Sequence, residues 1–486
     1  MNEFKHRGIV EGYYGAAYTH EDRLELINLM GLWGLNRYLY APKDDPLHRE
    51  HWRDNYPQQS LDEFKALIEA GAKAGVQVGF AVSPGLSIRY ADPEDRDALL
   101  RKFKSFRDLG SRFFALTLDD VPSTLQYQED IEAFESLAHA HVSLAHAVAG
   151  ALGEETTLWF VPTDYVGTES SHYLETLGSL LAKEIEVGWT GRTVVSPTIT
   201  AAEAQARAEV LQRRLLIWDN VPVSDGPMRP MLHLGTYTGR DPELADHASG
   251  IMLNPMELPH ASRLTLRTAA DYLNDPGGHD ATTAWRKASD TLGFGAVDAF
   301  KLFAKAHCFS VLEPTNRDIE LEASFDEVRA LAADSPATLG AISKLQNLLT
   351  PRYEAAAELR ANLADRTLVK EIEPWLESYE IECLRMRIAV DLLEALADGI
   401  NAMDAFLAFS RFEGRLTHHS RPAKASFGPR RVMYPQLLSH EDDDARFGDD
   451  EALFLDCCLA DDVVRFAETR ACEQLGAKVK VGVAHR

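Results

Sequence analysis

Two adjacent carboxylates, Asp119 and Asp120, close a short apolar run that reads RFFALTLDDVP from Arg112 to Pro122. Side chains alternate along an extended strand, so two neighbouring acids cannot serve the same purpose. One is placed to meet a reacting bond and the other to meet a neighbouring group. In a parallel barrel the carboxyl end of such a strand is where catalytic groups sit. An aspartate after a strand is as often a helix cap as a chemical group. Two together behind a largely apolar run, stopped by Val121 and Pro122, are less easily explained by capping.

The run itself reads as a strand buried on both faces. Seven further runs of the same character occur in the first half of the chain. The predicted strands are Gly8–Tyr14, Arg37–Ala41, Val76–Val82, Arg112–Leu118, Thr156–Val161, Ile185–Trp189, Arg214–Trp218 and Gly250–Leu253. Helical patterns separate most of them. Thr19-His-Glu-Asp22 resembles a capping box, with Leu24, Ile27 and Met30 behind it at helical spacing. Ser60-Leu-Asp-Glu63 repeats the device, and Ile131, Phe134, Ala138, Val142 and Ala145 predict one helix after the aspartates. Eight strand–helix beats in about 250 residues predict a (β/α)8 barrel over residues 1–275, where a doubly wound sheet would show fewer. The stretch from Asn220 to Ser249 holds Pro222, Gly226, Pro227 and Pro230 and predicts a loop with a short or broken helix.

Asn274-Asp-Pro-Gly-Gly-His279 marks a boundary. Beyond it strand patterns cease. The stripes Ile342-Leu345-Leu349 and Leu384-Ile388-Leu392-Leu396 predict an all-α helical bundle over 281–486, with an irregular loop at about 411–450.

Polar residues cluster behind several predicted strands: Glu11-Gly-Tyr-Tyr-Gly15, Pro42-Lys-Asp-Asp45, Thr163-Asp-Tyr165, Thr190-Gly191, Asp219-Asn220 with Asp225, and Asn254. In a parallel barrel these share the mouth where catalytic groups gather. Carboxylates, amides, an ammonium and aromatic rings in one concavity suit a neutral, hydroxyl-rich ligand. Lys43 beside Asp44 and Asp45 also fits a surface ion pair, and Trp218 by residue type fits the core.

The formal charge of −25 disfavours nucleic acid and anionic membrane as partners. No apolar run reaches the roughly 18 residues of a membrane span. The start, MNEFKHRGIV, lacks an apolar signal core, so a cytoplasmic protein is expected. The five cysteines, Cys308, Cys383, Cys457, Cys458 and Cys472, lack zinc-site spacing and read as reduced, mostly buried thiols. His139, His141 and His146 share a helix but not a metal-binding face, so no metal is expected.

Seven segments, in order, carry a resemblance to a known family: GIVEGYYG, NRYLYAPKDDPLHREHWR, LTLDDV, VPTDYVGT, WTG, IWDN with Asp225, and LNP. Together they resemble glycoside hydrolase family 84, the O-GlcNAcase family, from about Gly8 to Asn274. The helical remainder is similar only in character. The resemblance implies a retaining exo-β-N-acetylglucosaminidase that removes terminal GlcNAc, including GlcNAc on Ser or Thr of proteins, with no cofactor. It implies substrate-assisted catalysis, an exception to the two-carboxylate scheme, in which the sugar's acetamido oxygen attacks the anomeric carbon. By matching position, Asp119 would orient the acetamido N–H, and Asp120 would protonate the leaving oxygen and then activate water. Tyr165 would bond the acetamido oxygen, and Trp218 would wall the acetyl group. Gly12 (through its carbonyl), Lys43, Asn220, Asp225 and Asn254 would hold hydroxyls, with Tyr14 shaping the pocket floor. The chain departs from the family at Ala16-Ala17-Tyr18, where Arg-Pro-Trp is frequent, and at Leu118, often Phe. Two other readings stand beside this one: a hyaluronidase-like endo-glycosidase and a non-catalytic GlcNAc-binding protein.

Overall fold

In a computed structural model, residues 3–308, 312, 318–332, 335, 337–417 and 459–475 are described. Eight strands close into a barrel in sequence order: β1 (His6–Glu11), β2 (Arg37–Tyr40), β3 (Gln77–Val82), β4 (Phe113–Thr117), β5 (Thr157–Val161), β6 (Glu186–Trp189), β7 (Leu215–Asp219) and β8 (Ala248–Leu253). Every pairing is parallel, and β8 returns to β1 with His6 opposite Gly250 and Ile9 opposite Leu253. All eight predicted strands are present, although β1 starts two residues earlier and ends at Glu11.

Closure gives each strand an inner and an outer face. The inner face is a packed cluster of Val10, Leu39, Ala81, Phe113, Ala115, Trp159, Val161, Leu216, Trp218 and Met252. The outer face meets the helices. There Glu11 accepts both arms of Arg23 at 2.8 Å, together with the Tyr38 hydroxyl. Asp219 likewise accepts Arg240 at 2.6 and 2.9 Å and the Tyr237 hydroxyl at 2.6 Å. Breaking such a buried pair by removing one partner costs about 3–5 kcal/mol, because the remaining charge is stranded. These carboxylates were expected at the mouth, but alternation turns them outward into the scaffold.

Several helices begin where the sequence directs. Thr19 caps His20–Leu32 in a complete capping box with Asp22, and Thr200 does the same for Ala201–Leu211 with Glu203. Two expectations fail. The helix over Gln58–Ala74 starts before Ser60, behind Pro57, so Ser60 lies inside it and is no cap. The single helix expected after the aspartates is two, Gln128–Ala133 and Leu137–Leu152, because Phe134 turns to an extended backbone. Between β7 and β8 lie a short 3-10 turn, Gly226–Met228, and a four-residue helix, Leu244–His247.

The chain divides into two compact units. One runs to Met228 and resumes over Thr236–Ala284, and it contains the whole barrel. The other takes Arg229–Gly235 and the described residues from Trp285 onward. The second unit is helical, with long helices at Thr338–Asn362 and Arg366–Ala397. The buried stripe of the latter is Tyr379, Cys383, Met386, Val390 and Leu393, offset from the predicted one, in which Leu384 and Ile388 are only half-buried. A helix over Ala402–Thr417 replaces the start of the expected irregular loop. The rest of that loop, with Cys457 and Cys458, lies outside the described residues. Among the described residues no helix is long and apolar enough to cross a membrane.

Two buried histidines make the barrel unit sensitive to acid. Burial, helped by the Lys43 charge, holds His48 down to about 4, and burial alone holds His141 down to about 3. Both stay neutral in the folded chain where an unfolded imidazole, near 6.5, takes up a proton. The unfolded chain therefore binds more protons below that value, and stability falls as pH falls towards about 4. The expected result is a urea midpoint that declines steadily below pH about 6.5, with a shallower decline in His141→Gln. A midpoint unchanged down to about pH 5 contradicts this.

Candidate active site

The inner face of the barrel continues past the strand ends with the same two-residue period. Val10 leads to Gly12, Leu39 and Ala41 to Lys43, Phe113 and Ala115 to Asp119, Leu216 and Trp218 to Asn220, and Met252 to Asn254. Five of the residues expected to line a site therefore point into one mouth.

Lys43, its side chain only 3% exposed, donates to Asp119 Oδ2 at 2.6 Å. Asp119 Oδ1 is buried and has no hydrogen-bond partner among the described residues. Asn220 Oδ1 accepts Trp218 Nε1 and Asn254 Nδ2, each at 2.9 Å, and Asn254 Oδ1 accepts the Gly12 amide at 3.2 Å. Asn220 also donates to the Val194 carbonyl at 2.7 Å. The two amides thus lock the ends of β7, β8 and β1 to one another, and each retains one N–H for a ligand. Trp218 is buried, packed against Trp159 at 5.5 Å between ring centroids. It is core on one side and wall on the other, with Lys43 Nζ 5.8 Å from its ring centroid.

Asp120 breaks the alternation. By parity it belongs with Glu11 and Asp219 on the outer face. Its backbone is left-handed instead, with φ 51°, and the side chain turns to the mouth. There Oδ2 accepts the Tyr14 hydroxyl at 2.8 Å and Oδ1 accepts the Tyr165 hydroxyl at 2.9 Å. Aspartate tolerates this backbone region better than most residues because its short polar side chain bonds locally. Tyr14, 43% exposed, is therefore a partner of the acid and not a buried floor. Desolvation at its hydroxyl end, which faces the mouth, and the neighbouring Asp120 charge push that hydroxyl upward. Asp225 accepts the Tyr14 amide at 2.8 Å, and burial, with the Asp120 charge close by, raises its carboxyl above the usual range.

The β2 loop that carries Lys43 is fixed along its length. Asp45 accepts the Tyr40 and Tyr56 hydroxyls at 2.9 and 2.6 Å and the Leu47 amide at 2.8 Å. His48 bonds the Ala81 carbonyl at 3.0 Å, and Lys102 reaches the Leu47 carbonyl. This loop delivers Arg49, which the sequence reading did not select. Arg49 donates to the Tyr14 hydroxyl at 2.7 Å and to the Asp120 carbonyl at 3.1 Å. Its only signal was its place in the NRYLYAPKDDPLHREHWR segment. The helix histidines have separate partners: His139 meets Ser136, His141 lies between Tyr90 and Tyr173, and His146 accepts the Ala182 amide. No cluster of three or more metal-ligating side chains occurs among the described residues.

The parallel eight-stranded barrel thus holds at its mouth two differently bonded aspartates among amides, an ammonium and aromatic walls. The family model described as beta-N-acetylglucosaminidase matches residues 7–305, and the chain belongs to that family. It is 37% identical over 271 residues to the protein O-GlcNAcases of Rattus norvegicus and Mus musculus, a match covering 54% of this chain and 29% of each relative. The chain thus spans less than a third of those relatives' length. A solved structure of a Thermobaculum terrenum O-GlcNAc hydrolase mutant is similar over 97% of this chain and 95% of its own, with TM-score 0.84 and 32% identity. A second, named CpGH84B, is similar over 85% of this chain and 73% of its own, with TM-score 0.73 and 28% identity. The family found is the one that the sequence motifs resemble.

Gly12 offers a direct check on the mouth. A Cβ there would lie 2.3 Å from Trp218 Cζ2 and 2.6 Å from Cη2, and the indole cannot yield without breaking its bond to Asn220. Gly12→Ala is expected to destabilise the barrel unit, since overpacking of this kind costs about 1–3 kcal/mol. The urea midpoint measures it, and an unchanged midpoint would show that the indole can move aside without cost.

Proposed function

We propose that this chain is a retaining exo-β-N-acetylglucosaminidase acting by substrate assistance, with its chemistry in the barrel within residues 1–275 and an all-α region over 281–486. The observation that carries the proposal is the divided bonding of the two aspartates. Asp119 keeps one oxygen on Lys43 and offers the other as a buried acceptor, while Asp120 holds both oxygens on tyrosine hydroxyls.

In this reading Asp119 Oδ1 accepts the acetamido N–H of the bound sugar. That bond aims the acetamido oxygen at the anomeric carbon and favours the positive charge that develops on the closing oxazoline ring. Holding the acetamide in attack geometry replaces an encounter with an intramolecular step. Asp120 gives its proton to the leaving oxygen and then takes one from the water that opens the ring. Tyr165, bonded to Asp120 in the free protein, exchanges that acceptor for the attacking acetamido oxygen. Lys43 has donors left after serving Asp119, and Asn220, Asp225, Asn254 and the Gly12 carbonyl stand around the ring to meet hydroxyls. Trp218 closes the space beside the acetyl group. No cofactor enters the scheme, because the substrate supplies the nucleophile.

Terminal GlcNAc on Ser or Thr of proteins is the substrate class we infer. The support is the similarity to proteins named O-GlcNAcase and O-GlcNAc hydrolase.

The two roles separate under substitution. Asp120→Asn removes the proton donor yet keeps a residue that accepts a left-handed backbone. It is expected to slow substrates with poor leaving groups by about 10²–10⁴-fold and to spare those with good leaving groups. Asp119→Asn is expected to slow both kinds, since neither escapes the need for the oriented acetamide. Equal losses from both substitutions on both substrates would refute the division of roles. Successive fluorination of the N-acetyl group should lower the rate stepwise, and a flat response would remove the acetamide as nucleophile.

A further inference from the structure

The turn at Asp120 needs a holder. Its left-handed φ of 51°, three residues past the end of β4 at Thr117, is what brings the carboxylate to the mouth. Arg49 is the residue that grips it. One guanidinium nitrogen, Nη2, donates to the Asp120 carbonyl at 3.1 Å, and the other, Nη1, donates to the Tyr14 hydroxyl at 2.7 Å. A guanidinium has no acceptor. The Tyr14 oxygen must therefore accept from Arg49, and its own proton must go to Asp120 Oδ2, 2.8 Å away. Main chain and carboxylate of one aspartate are thus held from a single guanidinium.

We propose that Arg49 is a positioning residue for Asp120: it fixes the left-handed main chain and sets the direction of the Tyr14 hydrogen bond onto the carboxylate. The proposal rests on the reading of Asp120 as the proton-transfer group.

The charges around Asp120 define what Arg49 changes. Tyr14 and Tyr165 donate to its two oxygens, Asp225 lies close enough to feel its charge, and Asp119 adjoins it with Lys43 beyond. Burial works against the Arg49 charge, yet Tyr14, Asp119 and Asp120 hold it above its ordinary value. Arg49 is thus a fixed cation at every working pH. A cation nearby and a hydroxyl turned towards the carboxylate both favour its ionised form. Without Arg49, Asp120 keeps its proton to higher pH and its carboxylate loses its fixed direction. The departure here from the frequent Arg-Pro-Trp, at Ala16-Ala17-Tyr18, leaves this contact untouched.

The test uses the full chain, aryl β-GlcNAc substrates with good and poor leaving groups, and three variants. Arg49→Met is expected to lose at least about tenfold more on the poor leaving group than on the good one, part of the 10²–10⁴-fold that general acid–base catalysis supplies. The alkaline limb of its kcat/KM profile should move to higher pH. Tyr14→Phe should move that limb the same way with a smaller loss, because the main chain stays held. Arg49→Lys should recover part of the poor-leaving-group rate. Equal losses on both substrates, with the limb unmoved, would make Arg49 a scaffold residue and overturn the proposal. If Arg49→Met does not fold, Tyr14→Phe and Arg49→Lys decide by the same limb and the same substrate ratio. Asp120→Asn run in parallel separates the two levels: if it shows no leaving-group dependence, the reading of Asp120 falls and this proposal with it, whereas dependence in Asp120→Asn but not in the Arg49 variants sinks the proposal alone.

Discussion

The structure depends on one constraint, the two-residue alternation of a closed parallel sheet, and on a single exception to it. Closure leaves every strand with one inward and one outward row. Extending the inward rows past the strand ends puts Gly12, Lys43, Asp119, Asn220 and Asn254 around one axis without any special backbone. The outward rows end in Glu11 and Asp219, which meet arginines from the helical layer and close the scaffold. Asp120 alone crosses from one row to the other. A left-handed residue reverses the chain's side-chain direction within one step, so two consecutive carboxylates can face one mouth. Neither a regular strand nor a regular helix would allow that.

The energetic arrangement follows the same division. The outward carboxylates are fully used: each accepts a bidentate arginine and a tyrosine, so their burial is compensated. The inward groups are only partly used. Asp119 retains an acceptor, and the two asparagines retain one N–H apiece after tying three strand ends together. Buried polar groups that are not saturated disfavour the empty site and favour a ligand that saturates them. A ligand rich in hydroxyls, with one N–H directed at Asp119, meets that requirement better than an apolar one. The scaffold stabilises the site without competing for it.

The inward set was legible in the sequence because it needs only a period of two and the identity of strand ends. The eight strands were legible for the same reason: each is a short apolar run rich in β-branched or aromatic residues. What was not legible lies where a backbone departs from a period or where a loop folds back. Asp120 carries no glycine to announce its positive φ. Arg49 sits in a loop whose course is set by Asp45, His48 and Lys102, contacts that no spacing rule expresses. Glu11 and Asp219 were placed at the mouth because they end strands, although parity already assigned them outward. Ser60 matched a capping pattern, but Pro57 had started that helix one turn earlier. Phe134 fitted a helical stripe, yet its extended backbone separates two helices.

The bonding of Asp119 bears on which kind of retaining chemistry the mouth favours. A carboxylate that attacks the anomeric carbon must turn an oxygen onto that carbon and become a neutral ester. Asp119 would then give up charge-assisted attraction to the buried Lys43 ammonium that donates to it at 2.6 Å. The loss would fall in the step that most needs stabilisation, because an unpaired buried ammonium is costly. A carboxylate that only accepts a hydrogen bond keeps its charge and keeps Lys43. The positive charge developing on the acetamide then adds to the attraction instead of cancelling it, so the interaction strengthens between ground state and transition state. The Lys43–Asp119 pair thus supports the orienting role proposed for Asp119, a reading in which the attack falls to the substrate's own oxygen.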